Sequence, residues 1–329
     1  MGRSKENIAF SHQVSTETMA EIAVIFNPGA AWGQARKIKP TLLAELKKHR
    51  ITFDFFESQS EAHLLELARH VGSTYQYVLC AGGDTTFHLV LNEVMPISRR
   101  PILGLLGVGS SNDIARQLGF LNLESLGSAL QKKVSREVDV GAIFVFGELR
   151  RYFLGQVSLG LGVTVNRFVE KWLKRFPFLR GWSPFIGGWG ILSSYFHRQV
   201  PFSLSLEENE RIIQTTPVLV VISNTNYWAS GQQINPLGQV DDGKLEVFVF
   251  RPKHLAQLAK LYQAMREGRH LQAQEVTYLQ GNSFRLFSSH PLALQLDGER
   301  LFDSKQEEVR EIKIKVIPRA IKILTCKNR

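Results

Sequence analysis

Strand-like apolar runs in the first 110 residues repeatedly end in a glycine-containing turn that leads into a helical pattern, and this repetition restricts the fold more than any other feature of the chain. EIAVIFN (Glu21 to Asn27), ITFDFF (Ile51 to Phe56), YQYVLC (Tyr75 to Cys80) and PILGLLG (Pro101 to Gly107) read as strands. Between them, Gln34 to Arg50 and Glu61 to Val71 place apolar residues at three- and four-residue intervals, and Thr86 to Met95 is a shorter helical candidate. The order βαβαβαβ implies a parallel sheet covered by helices on both faces. In such sheets ligands bind beyond the carboxyl ends of the strands. Three turns, NPGAAWG, AGGDT and GVGSSND, fall at that edge.

From Val138 the pattern changes to strands without intervening helices: VDVGAIFVF, RRYFLGQVSLG, FSLSLEE, PVLVVISN, KLEVFVF, EVTYLQG, SFRLFSS, LALQLDGE, REIKIKVI and AIKILT. Two helical insertions interrupt them, Val163 to Leu173 continuing toward Phe196, and His254 to Arg266. The expectation is α/β plus β: an N-terminal Rossmann-like α/β domain over residues 20–137, then a C-terminal antiparallel β-sandwich domain over 138–329. Residues 1–19 have no apolar segment of the kind a signal peptide needs and read as a disordered tail. A chain of 329 residues suits two domains sharing a cleft, and 44% apolar with 21% charged residues excludes disorder for most of it.

Other classes fall away on composition. Cys80 and Cys326 are the only cysteines, too few for a disulfide framework or a Cys-based zinc site, which points to a reducing, cytoplasmic setting. The nine His form no HExxH pattern. Gly181 to Phe196, an uncharged and apolar-looking stretch, is shorter than the roughly 20 residues a spanning helix needs. A net charge of +10 suits a polyanionic ligand, nucleic acid or an anionic membrane surface.

Gly82-Gly83-Asp84-Thr85-Thr86 follows an apolar strand and opens a helix. Glycines there let backbone N–H groups approach phosphate oxygens, and the helix N-terminus favours negative charge. The alternative is a plain turn with Asp84 capping the helix. Gly107-Val108-Gly109-Ser110-Ser111-Asn112-Asp113 repeats the same logic at the neighbouring strand. Asp297-Gly298-Glu299 ends the apolar strand LALQL, and Asp242-Gly243 precedes another; each by itself could be an ordinary Asp-Gly turn.

These motifs together resemble the diacylglycerol kinase catalytic-domain family of lipid kinases, which includes sphingosine kinases and bacterial relatives. IFNPGAAWGQARK matches its first loop through Asn27, Pro28 and Gly33; Gly82, Gly83, Asp84, Thr86 and Asn92 match its GGDGT signature and the Asn that follows; Gly109, Ser110, Asn112, Asp113, Ala115 and Arg116 match its GT-x-NDFAR-like turn. Asp242-Gly243 and Asp297-Gly298-Glu299 match its late DG and DGE loops. The resemblance implies an ATP-dependent kinase acting on a hydroxyl of a membrane lipid, diacylglycerol or a sphingoid or related lipid, with ATP and Mg2+. It places Asn27, Ser58, Gly82, Gly83, Asp84, Thr85, Thr86, Ser110, Asn112 and Asp113 around the nucleotide and gives Asp297 and Glu299 the base role. It implies a structural magnesium on Asp242 and the backbone carbonyls of Gln239 and Lys244, an oxygen shell proper to that ion. Asp139 either extends this acidic group or is a buried, hydrogen-bonded Asp. The resemblance is compatible with a homodimer and with a cytoplasmic protein peripheral at the inner membrane surface.

The chain departs from that pattern. Thr85 stands where the family has a third glycine, so a β-branched side chain is expected at a position of φ > 0 and nucleotide binding is expected to suffer. Ala30 and Ala31 replace the usual Ser and Gly, Trp32 and Gln34 occupy positions often basic, and His88 and Leu89 replace the usual Asn and Glu. Two alternatives follow: a non-catalytic lipid-binding or regulatory member with a degenerate nucleotide site, and a soluble NAD kinase-like enzyme. Arg167 to Arg198 holds Arg167, Lys171, Lys174, Arg175, Arg180 and Arg198 against Glu170 alone, interleaved with Trp172, Trp182 and Trp189. Cations with aromatics are what an interfacial segment on an anionic membrane uses; packing of the rings on the second domain is the alternative. No nucleic-acid fold signature accompanies them, and no nucleic-acid partner is expected.

Overall fold

The computed structural model describes residues 20–120, 122–176, 178, 183–196, 204–208, 211–302 and 308–326. The tail 1–19, Arg180, Trp182 and Arg198 lie outside them.

The first unit runs β1 (Ile22–Phe26), a 3-10 segment (Ala30–Lys37), α1 (Lys39–Lys48), β2 (Phe53–Glu57), α2 (Glu61–Thr74), β3 (Tyr77–Gly82), α3 (Asp84–Val94), β4 (Ile102–Gly107), α4 (Asp113–Leu118) and α5 (Leu123–Lys132). The strands pair in parallel in the order β2-β1-β3-β4. Every residue of β1 and β3 is buried, as strands covered on both faces require. The single helix expected from Gln34 to Arg50 is two pieces, because Pro40 lacks the N–H that would continue a helical ladder and instead sits in the first turn of α1. α5 was not anticipated; its start is set by Asn122, whose Oδ1 accepts the Ser125 N–H at 2.8 Å.

The second unit adds β5 (Ser135–Val145), β6 (Glu148–Phe153), β7 (Gln156–Gly160), α6 (Leu161–Arg175), α7 (Ser183–Phe196), β8 (Leu204–Glu208), β9 (Arg211–Thr215), β10 (Leu219–Ser223), β11 (Leu245–Phe250), α8 (Leu255–Arg266), β12 (Val276–Gly281), β13 (Ser283–Ser288), β14 (Leu294–Leu296), β15 (Glu299–Phe302) and β16 (Glu311–Leu324). β12-β11-β10-β7-β14-β15 form an antiparallel sheet. Its inner face, including Val157, Leu159, Val247 and Leu296, packs on Ile143, Phe284, Ile312 and Ile314 of the other sheet, which makes the sandwich. Its outer face packs with Leu161 of α6 and with Leu261 and Met265 of α8.

Two differences from the sequence expectation matter for the site. RRYFLGQVSLG is two strands, β6 and β7, parted at Leu154–Gly155, where the backbone amides turn onto a carboxylate described below. REIKIKVI and AIKILT are one strand, β16, with a register shift between Ile317 and Ile321 and Arg319 at φ 49°. The Arg319 N–H at that bulge donates to Asp139 Oδ1 at 2.7 Å. β16 also pairs in parallel with β4 at Ile323↔Leu103, and Val138, Val140, Ile321, Ile323 and Leu324 pack in the core of the first unit. The two units therefore share a continuous sheet through β5 and β16.

Candidate active site

A cavity of about 420 Å³ lies where the carboxyl ends of β1, β3 and β4 meet the turns of the second unit. One wall is Asn27, Gly29 to Trp32, Gly83 to Thr86 and Gly109 to Ser111. The facing wall is Gly155, Gln156, Ser158, Tyr227, Trp228, Gln295, Asp297 and Gly298, with Asn166 from α6.

In the first wall the glycines serve backbone contact. A Cβ on Gly109 would stand 2.4 Å from the Gly83 Cα, so the two turns can touch only because both lack side chains. Asn112, in the left-handed region at φ 56°, locks its turn by accepting the Gly109 N–H at 2.8 Å and donating to the Gly109 carbonyl at 2.9 Å. Asn27 Nδ2 donates to Thr86 Oγ1 at 2.9 Å. The first turn of α3 carries backbone N–H groups that have no partner within the helix and face the cavity, a cradle suited to phosphate. The first loop passes through three consecutive left-handed residues, Ala31, Trp32 and Gly33, which sets the Trp32 ring at the cavity's edge.

Thr85 does not need φ > 0. It occupies the first turn of α3 with ordinary helical backbone, and its Oγ1 reaches across the cleft to 3.6 Å from where a Cβ on Gly298 would sit. The expected backbone strain is absent because the helix begins at Asp84, one residue before it.

The carboxylates differ in how they are held. Asp84 Oδ2 and Oδ1 accept the N–H groups of Asp113 and Ile114 at 3.0 and 3.1 Å, capping α4. Burial, and then the charge of Asp113, push the Asp84 carboxyl up to about 7. Asp113 accepts the N–H groups of Ser230 and Gly231 at 3.1 and 2.7 Å, tying α4 to the second unit; burial raises its carboxyl. Asp297 Oδ2 accepts the Leu154 N–H at 3.0 Å, and Oδ1 accepts those of Gly155 and Gln156 at 2.9 and 2.8 Å. His88 Nδ1 approaches Oδ2 at 3.2 Å. Asp297 and Gly298 have φ of 47° and 93°, the pair of positive values that a tight hairpin between β14 and β15 demands. The turn reading of this Asp-Gly pair is thus correct for the backbone, while the carboxylate is buried against the amides of Leu154, Gly155 and Gln156.

Of the residues the resemblance placed here, Asn27, Gly83, Asp84, Thr85, Thr86, Ser110, Asp113 and Asp297 line the cavity. Gly82 and Asn112 support them from behind. Ser58, buried at the end of β2, directs its N–H and Oγ to the Phe26 carbonyl at 2.9 and 3.4 Å and does not line the cavity, nor does Glu299 at the start of β15. Sequence reasoning did not select Gln156, Ser158 or Gln295, which alternate with Val157, Leu159 and Leu296 of the sandwich core; that period-two pattern was the available signal.

Asp242 lies in a separate turn, its Oδ1 accepting the Lys244 N–H at 3.0 Å. Asp139 is the buried, hydrogen-bonded Asp of the two readings, accepting the Gly243 and Arg319 N–H groups. Burial raises its carboxyl, and the charges of Asp242 and Asp241 raise it further. Surplus negative charge beside oxygen donors fits Mg2+ in kind. No group of three His, Cys, Asp or Glu side chains among the described residues forms a metal-ligand cluster, which leaves backbone carbonyls to complete such a shell.

Phe168 and Trp172 of α6, with Phe176 and Phe178 just after it, form a ladder with ring centroids 5.8, 5.4 and 6.0 Å apart. Phe178 at its end is 79% exposed, and Trp189 of the neighbouring α7 is 62% exposed. No helix among the described residues is long and apolar enough to cross a membrane.

Residues 21–143 match the diacylglycerol kinase catalytic domain, and residues 155–325 match the YegS C-terminal NAD kinase beta sandwich-like domain. The chain is 32% identical over 236 residues to a Chromohalobacter salexigens protein named "Probable lipid kinase YegS-like", covering 68% of this chain and 70% of that one. It is 26% identical over 227 residues to the diacylglycerol kinase of Bacillus subtilis, covering 68% and 71%. A crystal structure of a diacylglycerol kinase from Bacillus anthracis superposes with a TM-score of 0.66 at 16% identity, covering 94% of this chain and 98% of that one, which establishes the shared fold.

Proposed function

The chain belongs to the diacylglycerol kinase family of lipid kinases, and on that premise we propose that it transfers the γ-phosphoryl group of ATP to a hydroxyl of a membrane lipid, diacylglycerol or a sphingoid or related lipid. The observation that carries this is the single cavity shared by the Gly83–Thr86 and Gly109–Ser111 turns on one side and the Asp297–Gly298 turn on the other. The turns and the α3 N-terminus receive the phosphates; the lipid hydroxyl enters from the second unit. The hydroxyl oxygen bonds to the γ-phosphorus as the bond to the β-phosphate oxygen breaks, and ADP leaves.

The proton of that hydroxyl needs an acceptor. Asp84 suits this better than Asp297 or Glu299: it lines the cavity, takes one N–H per oxygen, and titrates near neutrality, where a general base works best. Asp297 already accepts three backbone N–H groups, with His88 Nδ1 against Oδ2 as well, and therefore shapes the turn. Magnesium would be held in the Asp242 turn with the carbonyls of Gln239 and Lys244, steadying the joint between the units, and a phosphate-bound magnesium would offset the charge of the leaving ADP.

The lipid is reached from a membrane. The basic residues Arg167, Lys171, Lys174 and Arg175 with the exposed rings of α6 and α7 supply an interfacial face for anionic lipid. Incubation with labelled ATP and vesicles of diacylglycerol, sphingoid base, ceramide or phosphatidylglycerol tests the transfer; label in no lipid overturns it. The NAD kinase-like alternative has less support, since the relatives named above carry lipid kinase names. Thr85, reaching toward Gly298, keeps the non-catalytic alternative in view. We expect Thr85→Gly to tighten MgATP binding about tenfold by calorimetry, by removing an obstruction to the phosphates; tight wild-type binding that glycine weakens would show that the hydroxyl holds the nucleotide.

A further inference from the structure

His88 is buried to 1% exposure on α3, four residues after Asp84 and four before Asn92, so the three share one helix face. That face meets the second unit. His88 Nδ1 lies 3.2 Å from Asp297 Oδ2, and Nε2 lies 3.4 Å from Asn92 Nδ2. The Asn92 amide is fixed in orientation: its Oδ1 accepts the Tyr152 N–H at 2.8 Å, and its Nδ2 donates to the carbonyls of His88 and Tyr152 at 2.8 and 3.0 Å. His88 Nε2 therefore faces a donor nitrogen, and a proton there would meet no acceptor on Asn92. A proton on Nδ1 points at a carboxylate. The hydrogen-bond network thus assigns a proton to Nδ1.

The turn that His88 touches has little slack. A Cβ on Gly155 would stand 2.6 Å from Asp297 Oδ1, so the β6–β7 turn closes directly onto the carboxylate. Three backbone N–H groups of that turn reach Asp297 from the second unit, and His88 supplies the donor from the first.

We propose that His88, with its proton on Nδ1, is a positioning residue for phosphoryl transfer: it ties α3, which carries Asp84, to the Asp297–Gly298 turn and so sets the span between the proton acceptor and the lipid hydroxyl. Its effect on rate rests on the kinase reading above; the brace itself does not. A span set by a brace affects the reacting geometry more than ground-state nucleotide binding, because ATP lies against the first wall.

The test uses the full chain labelled with 15N-histidine, with His88→Leu removing the donor and His88→Asn keeping an N–H near the Nδ1 position. The wild type is expected to show a slowly exchanging Nδ1–H resonance that both variants lack. With diacylglycerol in phosphatidylglycerol vesicles, His88→Leu is expected to lower kcat at least about tenfold with KM for ATP within about twofold, and His88→Asn to hold kcat within about threefold of wild type. The amides of Leu154, Gly155 and Gln156 are expected to exchange at least about tenfold faster in His88→Leu. An Nε2–H resonance, wild-type kcat in His88→Leu, or failure of Asn to restore the rate overturns the proposal. If the wild type labels no lipid, the kinase reading alone fails, and the resonance with the amide exchange then decides the brace.

Discussion

Asp84 and Asp297 are the same residue type, each at the end of a buried strand and beside a glycine, yet the two walls of the cleft treat them oppositely. In the first wall, burial and then the charge of Asp113 outweigh the one N–H that each Asp84 oxygen accepts, so ionisation costs free energy and the group titrates near pH 7. The second wall surrounds Asp297 with three backbone N–H groups and an imidazole. One carboxylate is left able to take a proton; the other is a structural anchor. Environment, not residue type, separates the roles.

The largest effect that would sharpen this contrast is on rate. Asp84→Asn should lower lipid phosphorylation by ~10²–10⁴-fold with the fold intact, the scale of losing a general base; radiolabel transfer with circular dichroism checks it, and an active Asn variant would break the comparison. Asp297→Ala should act chiefly on stability. It strands buried donors whose individual loss costs about 1–3 kcal/mol each, so a loss of about 3 kcal/mol or more is expected in urea unfolding. Unchanged stability would show that the anchor reading of Asp297 is mistaken.

Acidity distinguishes the units as well. Because the folded-state value of Asp84 is raised from 3.8 to about 7, the folded protein holds the extra proton in that interval; its contribution is fully present below pH 3.8 and is lost as pH rises through 7. The stability of Asp84→Asn relative to wild type should therefore grow between pH 4 and 8. His270 of the second unit behaves with the opposite sign. It is buried between Phe248 and Phe250, and burial lowers its value below the usual 6.5, so it favours the fold above pH 6.5 and loses that contribution as pH falls. His270→Phe should remove this acid-side loss, measured as urea midpoints from pH 5 to 7; parallel curves for variant and wild type would contradict it. The smallest effect belongs to the first loop. Ala31 at φ 50° holds left-handed strain that glycine avoids, so Ala31→Gly should gain up to about 1 kcal/mol after the entropy cost of glycine. A lower melting temperature would mean that Ala31 makes contacts worth more than its strain.

The parallel sheet, the glycine turns at its carboxyl edge and the antiparallel second half were legible along the chain, because period, strand-ending glycines and Asp-Gly pairs are local signals. The site was legible in part: Asn27, Asp84, Thr86 and Ser110 do meet in one cavity, whereas Ser58 and Glu299 do not line it. Thr85 shows why motif position is insufficient, since the helix starts one residue before it and removes the strain the missing glycine suggested.

What the sequence determined by itself was the set of elements and the placing of acidic and small residues at their ends. That Asp84 would be pushed up by its surroundings while Asp297 would anchor a turn was decided only by the tertiary structure. The donors on Asp297 come from residues 141 to 143 positions away and from His88, 209 positions away, and the neighbours that raise Asp84 come from another turn. Hydrogen bonding and burial act through space, and strand register and the closure of β5 and β16 between the units bring those groups within reach.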